Sequence, residues 1–146
     1  MHIKKDIVCI GGGVMSITLA KLLQELDPKM DITIYEKLSS CALESSQSIN
    51  NAGTGHAGYC ELNYTPINHQ QIVNIDRALK INREFEVSLQ FWSFLTKKYK
   101  SFKPKSFITQ VPHISFVKGE KDISFLKKRY EALSKTLLFK GIQFSR

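Results

Sequence analysis

A chain of 146 residues, 42% hydrophobic and 23% charged, has room for one domain with a core of its own and the make-up of an ordinary globular protein. No apolar run approaches the roughly 18 residues that cross a bilayer. The net charge of +8 is spread over "TKKYKSFKPK", "KGEKD" and "LKKRYEALSK". It reads as a solvated face, which argues against a nucleic-acid partner, although weak attraction to an acidic lipid surface is compatible with it.

The opening "MHIKKDIVCI" enters a strand-like segment without a signal-peptide core or cleavage site, so a cytoplasmic protein is expected. Residues 5–10, "KDIVCI", are a short β-branched run and predict a buried strand. Cys9 within it reads as a small buried hydrophobe. Three cysteines (Cys9, Cys41, Cys60) lack the paired spacing of a zinc or redox site. After three glycines, Val14, Ile17, Leu19, Leu22, Leu23 and Leu26 form a helix-period stripe that Asp27-Pro28 ends. "DITIYE" (31–36) is a second strand. Strand, glycine turn, helix and strand make a βαβ unit over 5–36 with a right-handed crossover.

Residues 37–68 are irregular and rich in Ser, Asn and Gly; a loop this long is functional or disordered. From about His69 to Tyr99 a helical pattern follows, with Ile72, Ile75, Leu79, Phe85, Leu89, Trp92 and Leu95 in phase and facing a core. "SFITQVPHISFV" (106–117) predicts one or two short strands interrupted at Pro112. His113 within it is read as a core or pocket histidine. Residues 119–135 predict an amphipathic helix with Ile123, Leu126, Tyr130 and Leu133 on one stripe, and "GIQFSR" begins a further strand. The fold class is therefore α/β, with a Rossmann-like βαβ unit followed by additional helices and short strands.

The glycine turn carries the chemistry. In "CIGGGVMS" (9–16), Gly11 permits the tight turn, and Gly13 lets backbone approach a pyrophosphate without a Cβ in the way. The helix that follows aims free N–H groups and its positive dipole end at the phosphates. Ser16 stands where the dinucleotide fingerprint has its third glycine. Glu36 closes the second strand, where a carboxylate accepts the ribose hydroxyls of an adenosine and repels a 2′-phosphate. NADP is thus disfavoured, while FAD and NAD remain unseparated on these residues alone.

Beyond these residues, the whole chain resembles the N-terminal part of malate:quinone oxidoreductases. The pieces that match are "IGGGVMSITLAKLLQELDP", "ITIYEKL", "ESS", "NNAGTGHAGYCELNYTP", "VPHISFVKGEKDISFLKKRYEAL" and "LFKGIQF", from about residue 7 to residue 144. Serine at position 16 agrees with that family's pattern; Lys37 departs from it, since arginine is expected after the acid. The resemblance implies an FAD-dependent enzyme that oxidises (S)-malate to oxaloacetate by hydride transfer and passes the electrons to a membrane quinone. It also implies a place in the tricarboxylic acid cycle and a peripheral site on the cytoplasmic face of the inner membrane. It further implies that Gly11, Gly13 and Ser16 line the FAD pyrophosphate and that Glu36 holds the adenosine ribose. Asn51, Ala52, Gly53, Thr54, Gly55 and His56 would lie near the flavin. His56 is the candidate to touch flavin or substrate, with turn capping as its alternative, and no catalytic base is identified.

Family members are several times longer, so residues 1–146 are expected to be an N-terminal fragment, inactive alone, without the substrate domain. Its sections are the dinucleotide-binding unit at 5–36, a flavin-proximal loop at 37–68, and a helical and short-strand region at 69–146. Such a piece is expected to leave a sheet edge and an apolar face uncovered. The rival readings are a non-catalytic or degenerate nucleotide-binding module, and an FAD-dependent dehydrogenase of another 2-hydroxy acid.

Overall fold

The computed structural model describes residues 5–59 and 61–145, so Cys60 and Arg146 lie outside the described residues. It divides into two compact units, one ending at Thr54 and one beginning at Gly55. The described elements are α/β in character: two parallel strands, three α-helices and three short 3₁₀ turns.

The first unit is the predicted βαβ. Strand β1 (Ile7–Ile10) and strand β2 (Ile32–Tyr35) pair in parallel, with Ile7 opposite Ile32 and Ile10 opposite Tyr35. Gly11 extends the ladder by donating its N–H to Tyr35 O at 2.7 Å, then turns away at φ +89°, a conformation glycine adopts without steric penalty. Helix α1 (Val14–Leu26) follows, and Asp27-Pro28 ends it as expected. The strand expected to be buried is only partly so. Cys9 is buried, but Val8 is 51% and Ile10 80% exposed, because among the described residues the sheet has two strands. The stripe of α1 is also open, with Val14, Ile17, Leu19, Leu22 and Leu26 all exposed. An apolar face of this unit is thus exposed among the described residues.

The second unit has its core where helix α2 (Asp76–Lys98) meets helix α3 (Glu120–Leu133) and the turn at Leu137–Phe139. Ala78, Leu133 and Phe139 are fully buried, with Tyr59, Tyr64, Ile75, Leu79 and Ile142 packed around them. Asp76 in the first turn of α2 and Lys97 and Lys98 in its last turn suit the helix dipole. Glu120 and Asp122 do the same at the start of α3.

Three expectations need correction. Helix α2 begins at Asp76, not near His69. Residues 67–73 instead make a tight excursion in which Ile67 bridges Val73 and the Asn68 side chain holds Ile72 N at 2.9 Å. Asn74 Oδ1 then accepts from Asp76 N and marks the true start of the helix. Residues 106–117 form no strand: Ile108 N is drawn back to Pro104 O, Pro112 has no N–H to give, and no described strand lies alongside. Residues 141–145 likewise carry no strand pairing, for want of a described partner. Among the described residues, no helix is long and apolar enough to cross a membrane.

Candidate functional site

The glycine turn of the first unit is shaped by groups that reach it from 24 to 32 residues further along the chain. Glu36, directly after β2, returns its carboxylate to the turn: Gly12 N donates to Oε2 at 2.6 Å and Leu38 N to Oε1 at 2.9 Å. Gly12 is buried beneath this contact. A Cβ there would meet Cys41 Sγ at 2.6 Å and Glu36 Oε2 at 3.1 Å, so the segment after β2 fits only against a glycine. Ala42 N closes the segment down onto Gly12 O at 3.0 Å.

Those two amides hold the Glu36 carboxyl below its usual pKa, the Leu38 N–H contributing most and the Gly12 N–H next, against the opposing effect of burial. A carboxylate whose folded pKa is depressed lends stability above its unfolded pKa and loses it as pH falls through the folded value. The Gly12 and Leu38 amide resonances are therefore expected to move together in an acid titration, with a midpoint below that of an ordinary glutamate. A midpoint at or above the ordinary value would contradict the arrangement.

At the start of α1, helix geometry leaves the N–H groups of Val14, Met15 and Ser16 without partners inside the helix. Gly13 at the N-cap offers no side chain. Ser46 Oγ takes its place by accepting from Val14 N at 2.9 Å, which leaves the amides of Met15 and half-buried Ser16 for an incoming acceptor. Ser46 belongs to "ESS" (44–46), one of the pieces that carry the resemblance, but its place beside the helix start is not evident from the sequence. A serine with no helix of its own to cap was the available signal.

The expected site residues divide between the two units. Gly11, Gly13, Ser16 and Glu36 share the turn of the first unit, and Asn51, Ala52, Gly53 and Thr54 end that unit. Asn51 Oδ1 accepts from Gly53 N at 2.7 Å while its amide reaches Ser45 O at 3.3 Å, so Asn51 organises this stretch. Gly53 has φ +63° and open space at its Cβ position. Gly55 and His56 belong to the second unit. A Cβ on Gly55 would lie 2.8 Å from Phe85 Cε2. The His56 ring stacks on Tyr64 at 6.0 Å, and its Nδ1 is buried without a partner among the described residues.

The second unit also holds buried polar residues that the sequence pattern does not single out. Asn82 is 2% exposed, its amide shared between Ala57 O and Leu138 O. Arg129 is 4% exposed and bonds to Thr65, Gly58 and Tyr59. Each falls in phase with an apolar stripe, Asn82 after Leu79 and Arg129 after Leu126. A polar residue in such a position was the signal. His113 is a pocket residue rather than a core one: it is exposed, lies 6.5 Å from the Tyr59 ring and bonds to Ser115 Oγ at 3.1 Å.

Comparison with known proteins places this architecture. Residues 3–146 match the family model described as malate:quinone oxidoreductase. The chain is 48% identical over 145 residues to the "Probable malate:quinone oxidoreductase" of Bacillus mycoides (strain KBAB4). It is 49% identical over 145 residues to proteins of the same name from Bacillus thuringiensis (strain Al Hakam) and Bacillus cereus (strain AH187). Each of these alignments covers 99% of this chain and 29% of the relative. The chain therefore belongs to the malate:quinone oxidoreductase family and spans less than a third of the length of these curated relatives.

Proposed function

We propose that this chain is the N-terminal, dinucleotide-holding part of an FAD-dependent malate:quinone oxidoreductase, in which (S)-malate is oxidised to oxaloacetate and a membrane quinone takes the electrons. The observation that carries the reading is the Glu36 carboxylate fixed over the glycine turn at the mouth of α1.

The residues present fit the adenosine and pyrophosphate half of FAD. A carboxylate offers about four acceptor positions. The backbone amides of Gly12 and Leu38 use two of them, which leaves capacity for two ribose hydroxyls. Gly11 and Gly13 present backbone without side chains, and Met15 and Ser16 supply first-turn amides and the positive end of the helix dipole for the phosphates. Ser46 adds a hydroxyl beside the same turn. Asn51, Gly53, Thr54, Gly55 and His56 are proposed as the flavin-proximal set, small groups that let backbone N–H approach a ring or an anion.

When bound, FAD supplies the electron acceptor for malate and the donor for quinone. The residues of this chain bind and orient it, and Glu36, ionised at neutral pH, keeps the ribose end fixed. The substrate domain is assigned to the part of the family sequence outside this chain; no catalytic base is assigned, and His56 is the candidate to touch flavin or substrate. With a quinone as partner, the complete protein is proposed to sit peripherally on the cytoplasmic face of the inner membrane.

Glu36→Ala is expected to weaken FAD retention about tenfold, through the loss of a charge-assisted contact to the ribose. Flavin fluorescence after gel filtration measures it, and unchanged retention counts against the ribose role. For a protein carrying the rest of the family sequence, malate-dependent reduction of a quinone analogue without added NAD is the decisive assay. Turnover that required NAD would overturn the flavin reading.

A further inference from the structure

A second site stands in the unit that begins at Gly55, away from the glycine turn in sequence and independent of the flavin reading. Its centre is Arg129, on α3. A charge this far from water is normally paired with a carboxylate. Arg129 has none among the described residues. Nε donates to Thr65 Oγ1 at 2.9 Å, and Nη2 donates to Gly58 O at 3.4 Å and Tyr59 O at 3.2 Å. These contacts use the single N–H of Nε and both N–H groups of Nη2, and leave the pair on Nη1 over. Nη1 is not one of the fully enclosed polar atoms without a partner, so solvent reaches it.

Arg129 also lines a cavity of about 660 Å³, together with Tyr59, His113, Lys140 and the apolar side chains of Leu126 and Ile142. Among the described residues, no Asp or Glu lines it. The floor therefore carries a fixed positive charge with unused donors, a second cation stands in the wall, and the remaining lining is partly apolar. Its size falls within the range of small-molecule sites. Loss of water around Arg129 disfavours its charged form, yet a guanidinium stays protonated at any ordinary pH. An anion brought to Nη1 relieves that buried charge.

We propose that this cavity binds a small organic carboxylate, with the Nη1 N–H groups of Arg129 donating to the carboxylate and Lys140 adding attraction. The three contacts already made fix the guanidinium in place, so the site is organised before the ligand arrives.

The test is a titration of the ¹⁵N-labelled 146-residue chain with sodium succinate, followed at the Arg129 Nε–H resonance. Succinamide and sodium chloride at matched ionic strength are the controls. Succinate is expected to give a saturable shift with a millimolar Kd, and the controls none. A response to chloride equal to that with succinate would overturn the proposal, as would no saturable shift with succinate. Arg129→Lys keeps the charge but disturbs the contacts to Thr65, Gly58 and Tyr59, so the second variant is Gln110→Glu, an exposed residue of the cavity wall. Its carboxylate repels or replaces the ligand and is expected to weaken succinate at least fivefold, with folding unaffected. Undiminished succinate binding by that variant places the anion elsewhere and overturns the assignment.

Discussion

Replacement of Gly58 by alanine is expected to lower the stability of the second unit by roughly 2–5 kcal/mol. The residue sits at φ +80°, where a Cβ costs about 1–2 kcal/mol on conformational grounds alone. That Cβ would also lie 2.7 Å from Ala78 O and 3.2 Å from Ala78 Cα, and both are backbone atoms in the first turn of α2. No side chain can swing aside, so the loop or the helix must move, at a further ~1–3 kcal/mol. Gly58 O is in addition an acceptor for Arg129. Trp92, the single tryptophan and a half-buried residue of α2, reports the unfolding by fluorescence. The urea midpoint should fall by about 1–3 M. Gly119→Ala is the control: φ there is +97° but nothing lies within 4 Å of the Cβ position, so only the conformational part should appear. Equal losses in the two variants would show that the contact with Ala78 carries no weight.

Phe139→Ala should lower stability by about 3–5 kcal/mol, the usual range for a fully buried aromatic. Phe139 is completely enclosed with Ala78 and Leu133, and its ring meets Tyr59 edge-on at 4.8 Å. Phe139→Leu keeps most of the volume and should cost less than ~1.5 kcal/mol, and the gap between the two variants in the same urea experiment measures the cavity. Ala78 touches the Gly58 position and also belongs to the Phe139 cluster. The double variant is therefore expected to lose less than the sum of the singles. Strict additivity would mean that loop and core are uncoupled.

How far the sequence anticipates these features depends on the distance over which each is determined. The βαβ unit is local: Ile7–Ile10 and Ile32–Tyr35 are β-branched runs, the stripe of α1 has a helical period, and Asp27-Pro28 ends it. The acid at Glu36 was legible for the same reason, by its spacing from Gly13. Residues 106–117 and 141–145 have the composition of strands, but a strand needs a neighbour, and none is present among the described residues. Pattern reports what a segment would do in a sheet and not whether a sheet is there. The late start of α2 was missed because Asn68 and Asn74 bond to backbone two to four residues on, and this local competition overrides the helical period of Ile72 and Ile75. Ser46, Asn82 and Arg129 owe their places to partners 25 to 71 residues away, a separation no short window contains.

Arg129 also sets an order of events during synthesis. Its acceptors at Gly58, Tyr59 and Thr65 precede it in the chain by 64 to 71 residues. At roughly 5–20 residues per second, the ribosome takes about 4–14 s to add 71 residues. Through that interval the 58–65 loop has left the peptidyl-transferase centre while the side chain that ties it down has yet to be made. The loop that contains "GYCELNYT" is thus open to chaperones and proteases until α3 emerges, and a pause in translation before codon 129 would lengthen its exposure without altering a single contact of the finished fold.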